Sequence, residues 1–120
     1  MSNAKSTVLK AAAELFGDKD PSAVDRWVAP GYTQHSSLAA DGPEALRQLV
    51  AGLGDGFRYE GARVVADGDL VALHGTYHGF GPVPLIAFDI FRVDAEGKVV
   101  EHWDVLQVVP VQSANNNSMF

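Results

Sequence analysis

The feature that most constrains the fold of this sequence is a change of periodicity half-way along the chain. Up to residue 56, apolar residues recur at helical spacing and the segments end in glycine or proline. Beyond that point, four segments rich in Val, Phe, Tyr and Ile follow one another, separated by short turn sequences. Short connections favour antiparallel neighbours. The sequence therefore predicts an α+β domain in which helices pack on one face of a curved antiparallel sheet.

The periodicity places three helices before the strands. They are predicted at Thr7–Phe16, between the Asp20-Pro21 start signal and Pro30, and from a capping-box pattern at Asp41 and Glu44 to Leu53. The strands are predicted at Phe57–Ala66, Leu70–His78, Leu85–Val93 and Val99–Val109, with a short edge strand at Tyr32–His35. At 120 residues, the chain is expected to form one domain, residues 1–120.

Composition excludes several classes of function. The formal net charge of −6 provides no cationic surface for nucleic acid. The absence of cysteine excludes disulfides, zinc–cysteine sites, iron–sulfur clusters and thiol nucleophiles. No apolar stretch is long enough to cross a membrane, and the N-terminus lacks a basic region followed by an apolar run, so a cytoplasmic location is expected. Any chemistry must therefore use carboxylates, imidazoles and hydroxyls.

Ionisable residues recur on apolar strand faces. Because side chains alternate along a strand, His102 and Asp104 share one face of the last strand, and Asp89 and Phe91 share a face of the strand before it. His74 lies in an equally apolar strand. A carboxylate beside an imidazole in a partly dry cavity is typical of general acid–base catalysis.

Each of these residues also has a structural interpretation. Asp89 can pair with Arg92 or a backbone amide, and His74 can be a hydrogen-bonded core residue. His35 lies in a loop, where a functional role and simple exposure are both open. A metal site is not expected, because the four histidines show no HxH or HExxH spacing. The glycines near residue 79 match no phosphate-binding loop.

Several segments together resemble a known family. They are Tyr32-Thr-Gln-His35, Asp41-Gly-Pro-Glu-Ala45, Asp89-Ile-Phe-Arg92, Gly97-Lys-Val-Val-Glu-His-Trp-Asp104 and Asn117-Ser-Met-Phe120. In this order they are similar to the SnoaL-like polyketide cyclase group of the nuclear transport factor 2-like superfamily. The resemblance implies a cone-shaped fold, in which a strongly bent sheet encloses a deep pocket, and a homodimer packed through the sheet.

The resemblance also implies roles for individual residues. Asp104 matches the proposed acid–base group of an intramolecular aldol closure, His102 a neighbouring histidine, and His35 a pocket-lining loop residue. That chemistry needs no cofactor and no metal. A carboxylate removes the proton alpha to a carbonyl while a donor, here His74, His35 or His102, stabilises the enolate oxygen. Tyr32, His74, Asp89, Phe91 and Trp27 are the remaining candidates for ligand contact.

Two classes of function follow from these residues. The first is cofactor-independent cyclase, isomerase or lyase chemistry on a small, largely apolar carbonyl compound. The alternative is a noncatalytic small-molecule binding module, in which the same groups only orient a ligand. The apolar tail residues Met119 and Phe120 are expected either to cover the pocket mouth or the dimer partner, or to be a frayed end.

Overall fold

The computed structural model describes residues 3–120, so the first two residues of the predicted 1–120 domain lie outside the described residues. Its helices are α1 (Ala4–Ala12), which continues into a π-helical turn at Ala13–Gly17, α2 (Ala23–Trp27) and α3 (Pro43–Ala51). Its strands are β1 (Val28–Gln34), β2 (Arg58–Asp67), β3 (Leu70–His78), β4 (Leu85–Val93) and β5 (Val99–Val108). The predicted α+β class, with three helices packed on a sheet, is confirmed.

The five strands form one mixed sheet in the order β1-β5-β4-β3-β2. The four strands of the second half pair antiparallel, as predicted, and β3 and β4 have the predicted bounds. The edge strand β1 instead runs parallel to β5. It is also longer than predicted, because α2 already ends at Trp27 and the chain then becomes extended. Pro30 is tolerated there because an edge strand needs hydrogen bonds on one side only.

The predicted capping box does not form. Helix α3 begins at Pro43, and no side chain caps its first turn. The Asp41 carboxylate instead accepts hydrogen bonds from the backbone N–H groups of Gln34, at 2.7 Å, and Gly42, at 3.0 Å. Gly42 has a φ of 90°, which turns the chain away from the geometry that an Asp41 cap needs. Asp41 therefore ties the loop before α3 to the end of β1.

The core lies between the helices and the inner face of the sheet. One cluster joins Val24, Tyr32 and Val50 from α2, β1 and α3, and a second joins Val8 of α1 to Val71 of β3. Phe91 of β4 packs against both clusters. The helices thus cover one face of the sheet. Among residues 3–120, no helix is long and apolar enough to cross a bilayer.

Gly79, directly after β3, is required by backbone geometry. Its φ is 75°, and a Cβ atom there would lie 2.2 Å from the carbonyl oxygen of Gly56. We expect Gly79→Ala to lower the free energy of unfolding by about 2 kcal/mol, because left-handed strain adds to a clash with backbone. Gly81→Ala is the matched control, since no atom lies within 4 Å of its added Cβ. Urea unfolding measures both, and equal losses would contradict the assignment.

Candidate active site

A cavity lies between the helices and the inner face of the sheet. It contains about 800 Å³ of empty space, including its open mouth. Most of its wall is apolar, with Leu15, Leu46 and Phe57 among the contributors. Its polar groups come from β1, the loop after it, and strands β3 to β5: Tyr32, Gln34, Ser36, Tyr77, Asp89, His102 and Asp104. An apolar cavity with a few convergent polar groups is the usual form of a small-molecule site.

The sheet register brings the predicted residues together. Asp89 of β4 lies opposite Asp104 of β5, and Phe91 lies opposite His102. Because these four positions share the inner face, all of them line the cavity. Asp89 is 2% exposed and His102 8% exposed, so both are buried. The shared face expected for Asp89, Phe91, His102 and Asp104 is therefore present.

His102 uses both ring nitrogens within the protein. Nε2 lies 2.8 Å from Oδ1 of Asp89, and Nδ1 lies 2.6 Å from Oε1 of Gln34. The Phe91 ring stacks on the imidazole with a centroid distance of 4.6 Å. The second carboxylate oxygen of Asp89 accepts a hydrogen bond from the Tyr77 hydroxyl at 2.7 Å. Asp89 and His102 thus form a buried pair held from both sides.

The amide of Gln34 has a defined orientation. Its Oε1 accepts from the backbone N–H of Ser36 at 3.0 Å, and a backbone N–H can only donate. Its Nε2 therefore donates to the Tyr32 hydroxyl oxygen, 2.9 Å away. Since Oε1 is an acceptor, Nδ1 of His102 must carry a proton. The other nitrogen of His102, Nε2, shares a hydrogen bond with Asp89, whose second oxygen accepts from the Tyr77 hydroxyl.

Asp104 differs from Asp89 in being only half-buried. Burial raises the pKa of its carboxyl, and the nearby Asp89 charge adds to this, while a hydrogen bond to the Ser36 side chain and the His102 charge oppose it. The net result is a raised pKa. A carboxylate that lies in the cavity with a raised pKa is suited to accept a proton from a bound molecule.

Asp89, His102 and Asp104 also offer ligand atoms that all lie within 4.8 Å of one another, which is compatible with a cation site. Second-sphere hydrogen bonds of the kind that orient metal ligands come from Gln34 and Tyr77. Nε2 of His102 and Oδ1 of Asp89, however, already face each other at hydrogen-bond distance. A cation at this position would therefore have to replace the proton between them.

The structure places three of the candidate residues elsewhere. His35 lies on the outer face of the sheet, where its ring stacks on Trp103 at 5.0 Å and Nε2 contacts Glu101 at 2.7 Å. His74 also lies on the outer face and stacks on Phe88 at 4.3 Å. Trp27, the last residue of α2, packs against the core. None of these three residues belongs to the cavity lining in the described part of the chain, which corrects the expected pocket lining for His35 and His74 and the expected ligand contact for Trp27.

The tail lies on the outer face as well. The backbone carbonyl oxygen of Met119 lies 2.8 Å from Nε2 of His74, and the Phe120 ring stacks on the same imidazole at 6.1 Å. The expectation that these residues cover the cavity mouth is therefore not met.

Three polar residues of the site were not predicted: Gln34, Ser36 and Tyr77. Alternation along β1 and the residues after it could have identified two of them. Tyr32, Gln34 and Ser36 are alternate residues and therefore face the same side, whereas His35 faces the opposite side. The same rule sends Tyr77 to the face of Val71 and Leu73, opposite to His74.

Comparison with known proteins agrees with this architecture. Residues 9–102 match the family described as SnoaL-like domain. The chain belongs to the SnoaL-like family. The match spans more than half of the 120-residue chain. Among curated proteins, none matches the sequence.

Solved structures similar to this SnoaL-like protein share its fold. IdmH from Streptomyces antibioticus, a candidate polyketide cyclase, is 20% identical with a TM-score of 0.69, over 88% of this chain and 92% of IdmH. A steroid delta-isomerase from Pseudomonas aeruginosa is 22% identical with a TM-score of 0.71, over 92% and 82%. A nuclear transport factor 2-like protein of unknown function from Cytophaga hutchinsonii is 13% identical with a TM-score of 0.75, over 89% and 92%.

Proposed function

We propose that this SnoaL-like protein carries out cofactor-independent acid–base chemistry on a small, largely apolar carbonyl compound, in a reaction of the cyclase, isomerase or lyase type. One observation carries the proposal. Asp104, a carboxylate with a raised pKa, lines an apolar cavity, and its carboxylate lies within 4.8 Å of ligand atoms of the buried Asp89–His102 pair. Fold likeness to a candidate polyketide cyclase and a steroid delta-isomerase supports the reaction class.

In the proposed step, Asp104 acts as the general base. The C–H bond alpha to the carbonyl breaks, its proton moves to the Asp104 carboxylate, and its electron pair forms an enolate. In a β,γ-unsaturated ketone the enolate is conjugated with the double bond, and return of the proton to the γ carbon completes an isomerisation. Attack of the enolate carbon on a second carbonyl of the same molecule forms a C–C bond, and transfer of the proton from Asp104 to the new alkoxide completes an aldol cyclisation. The interaction of Asp104 with the His102 charge lowers the pKa of Asp104 and so opposes the effects of burial and of Asp89. Asp89 fixes His102 in place.

The charge of the cavity supports a neutral substrate. Among the described residues that line it, none is Lys or Arg, whereas two are aspartates. An anionic substrate would approach two aspartates, and a single histidine is the only other ionisable side chain besides tyrosine among the described lining residues. A neutral carbonyl compound meets no such repulsion, and its apolar body can pack against residues such as Leu49 and Phe57.

Hydrogen–deuterium exchange of 2-tetralone in D₂O tests the proposal. This neutral bicyclic ketone carries acidic alpha hydrogens, and NMR follows their loss. We expect the protein to accelerate the exchange above the buffer rate, with a rate that rises with pH as Asp104 loses its proton and then levels off. Binding of 2-tetralone with exchange at the buffer rate would contradict catalysis and support the noncatalytic binding module.

We also propose that the protein is a homodimer packed through the outer face of the sheet. Val105 is 74% exposed and Phe88 52% exposed on this face, and Ile90 lies beside them on β4. We expect the mass from light scattering to be that of a dimer, and Val105→Glu to give a monomer, because each interface would bury two like charges. Val111→Glu, in the exposed tail, should leave the dimer intact. A monomeric wild-type protein would contradict the proposal.

A further inference from the structure

The proposed chemistry needs a hydrogen-bond donor for the oxygen that becomes negative, and the histidines do not provide one. His35 and His74 lie on the outer face of the sheet. His102 lines the cavity, but its two nitrogens are bonded to Gln34 and Asp89. Another group must therefore face the carbonyl oxygen if an enolate is to form near Asp104.

Tyr32 has a hydroxyl proton to offer. Its side chain is 4% exposed and lines the cavity. Its oxygen accepts a hydrogen bond from Nε2 of Gln34 at 2.9 Å, and no described residue accepts the hydroxyl proton in return. A buried donor normally has a partner, so this proton is placed for a bound molecule.

The protonation state of Tyr32 fits a donor. Burial, together with the negative charges of Asp104 and Asp89, raises the pKa of its phenol. The hydroxyl therefore keeps its proton throughout the neutral pH range, and it can donate a hydrogen bond but not act as a base.

The direction of that proton depends on Gln34. Because the backbone N–H of Ser36 fixes Oε1, the amide presents Nε2 to Tyr32 and cannot accept the phenol proton. The same Oε1 holds the Nδ1 proton of His102. The Gln34 amide thus determines the hydrogen bonding of two protons in the site. The Tyr32 hydroxyl proton finds no acceptor in the amide and is available to a molecule in the cavity, whereas the Nδ1 proton of His102 is bonded to Oε1.

We propose that Tyr32 donates its hydroxyl hydrogen bond to the carbonyl oxygen of a neutral ligand, and that Gln34 is the positioning residue that leaves this donor free. The role in catalysis rests on the proposed function, whereas the hydrogen bond itself does not. The proposed donor narrows the class of ligand to a neutral molecule with a carbonyl group that contacts Tyr32 and an apolar body that packs against the apolar wall. A carboxylate in place of the carbonyl would face Asp89 and Asp104.

Binding of 9-fluorenone labelled with ¹³C at its carbonyl tests this hydrogen bond. Fluorenone is neutral and has no alpha hydrogen, so the measurement is independent of proton abstraction. We expect the bound carbonyl carbon to resonate downfield of its position in an apolar solvent, because hydrogen-bond donation polarises the carbonyl. In Tyr32→Phe, this shift should be lost and the affinity should fall roughly 2- to 10-fold, as for one neutral hydrogen bond. Fluorene-9-carboxylate should bind the wild type more weakly than fluorenone.

Gln34→Glu tests the positioning role with the phenol still in place. The glutamate can accept from Ser36 and His102, but it can also take the proton of Tyr32, so the downfield shift should be lost here as well. Tyr59→Phe is the matched control, because Tyr59 lies on β2 outside the cavity lining. It should keep the shift. Circular dichroism and urea unfolding establish that each variant is folded, and Tyr32→Phe alone still tests the donor if Gln34→Glu does not fold.

The outcomes separate this inference from the proposed function. A full downfield shift in Tyr32→Phe would overturn the donor, and a full shift in Gln34→Glu would overturn the positioning role. Asp104→Asn should retain the shift, since it does not alter Tyr32. If 2-tetralone exchange fails but the Tyr32-dependent shift is present, Asp104 is not a base and the donor stands. If the protein accelerates 2-tetralone exchange but the Tyr32-dependent shift is absent, the role of Asp104 as a base is supported and the role of Tyr32 as a donor is contradicted.

Discussion

Asp104→Asn is expected to slow the protein-catalysed exchange of 2-tetralone by about 10²- to 10⁴-fold, the usual contribution of a positioned general base. The amide has nearly the same shape as the carboxylate but cannot accept the proton. NMR measurement of alpha-deuteration, with the buffer rate subtracted, gives the ratio. Asp67→Asn is the matched control, because Asp67 is an exposed aspartate at the end of β2. Unchanged exchange in Asp104→Asn would remove Asp104 from the mechanism.

The same substitution has an expected effect on stability. The raised pKa of Asp104 means that the folded protein binds its proton more tightly than the unfolded chain does. The charge on Asp104 therefore destabilises the fold at pH 7, and this penalty disappears as the pH falls below the ordinary value of 3.8. We expect Asp104→Asn to be more stable than the wild type at pH 7, with the difference narrowing toward pH 4. Urea unfolding at the two pH values measures it.

Asp89→Ala is expected to lower the free energy of unfolding by about 3–5 kcal/mol, the usual cost of removing one partner from a buried ion pair. The substitution leaves Nε2 of His102 and the hydroxyl of Tyr77 buried without their hydrogen-bond partner. Asp89→Asn retains an acceptor oxygen and should lose less. Urea unfolding at pH 7 provides the measurement.

Asp67→Ala serves as the comparison, since an exposed aspartate outside such a network should change the free energy of unfolding by no more than about 0.5 kcal/mol. A similarly small change for Asp89→Ala would mean that the Asp89–His102 pair does not help to hold the sheet and cavity together.

Most of the sheet could be predicted from local signals. Strands β3 and β4 are dense in β-branched and aromatic residues and end at turn sequences, so their bounds were predicted correctly. Strand β1 was predicted too short because Val24, Trp27 and Val28 continue a helical pattern, and only pairing with β5 draws Val28 into the sheet. Tertiary pairing of this kind overrides local periodicity.

The candidate site was partly predictable for a related reason. Alternation identifies residues that share a face, and it placed Asp89, His102 and Asp104 together. It does not say which face is inside, so His74 was assigned to the cavity although Val71 and Leu73 occupy the inner face of β3. Gln34 carries no charge and has no motif, so only the packing of β1 beside β5 reveals that its amide orients two neighbours.

Because β1 lies at the edge of the sheet, residues that orient hydrogen-bond donors in the cavity lie apart from the strands that form most of the sheet. Residues 32–36, which set the protons offered to the cavity, lie on and just after the strand that pairs with β5 alone. The antiparallel strands β2 to β5 carry the carboxylates and most of the pairing. Substitutions of Gln34 and Ser36 are therefore expected to change how the cavity polarises a ligand more than they change the antiparallel pairing, whereas Tyr32 also belongs to the core.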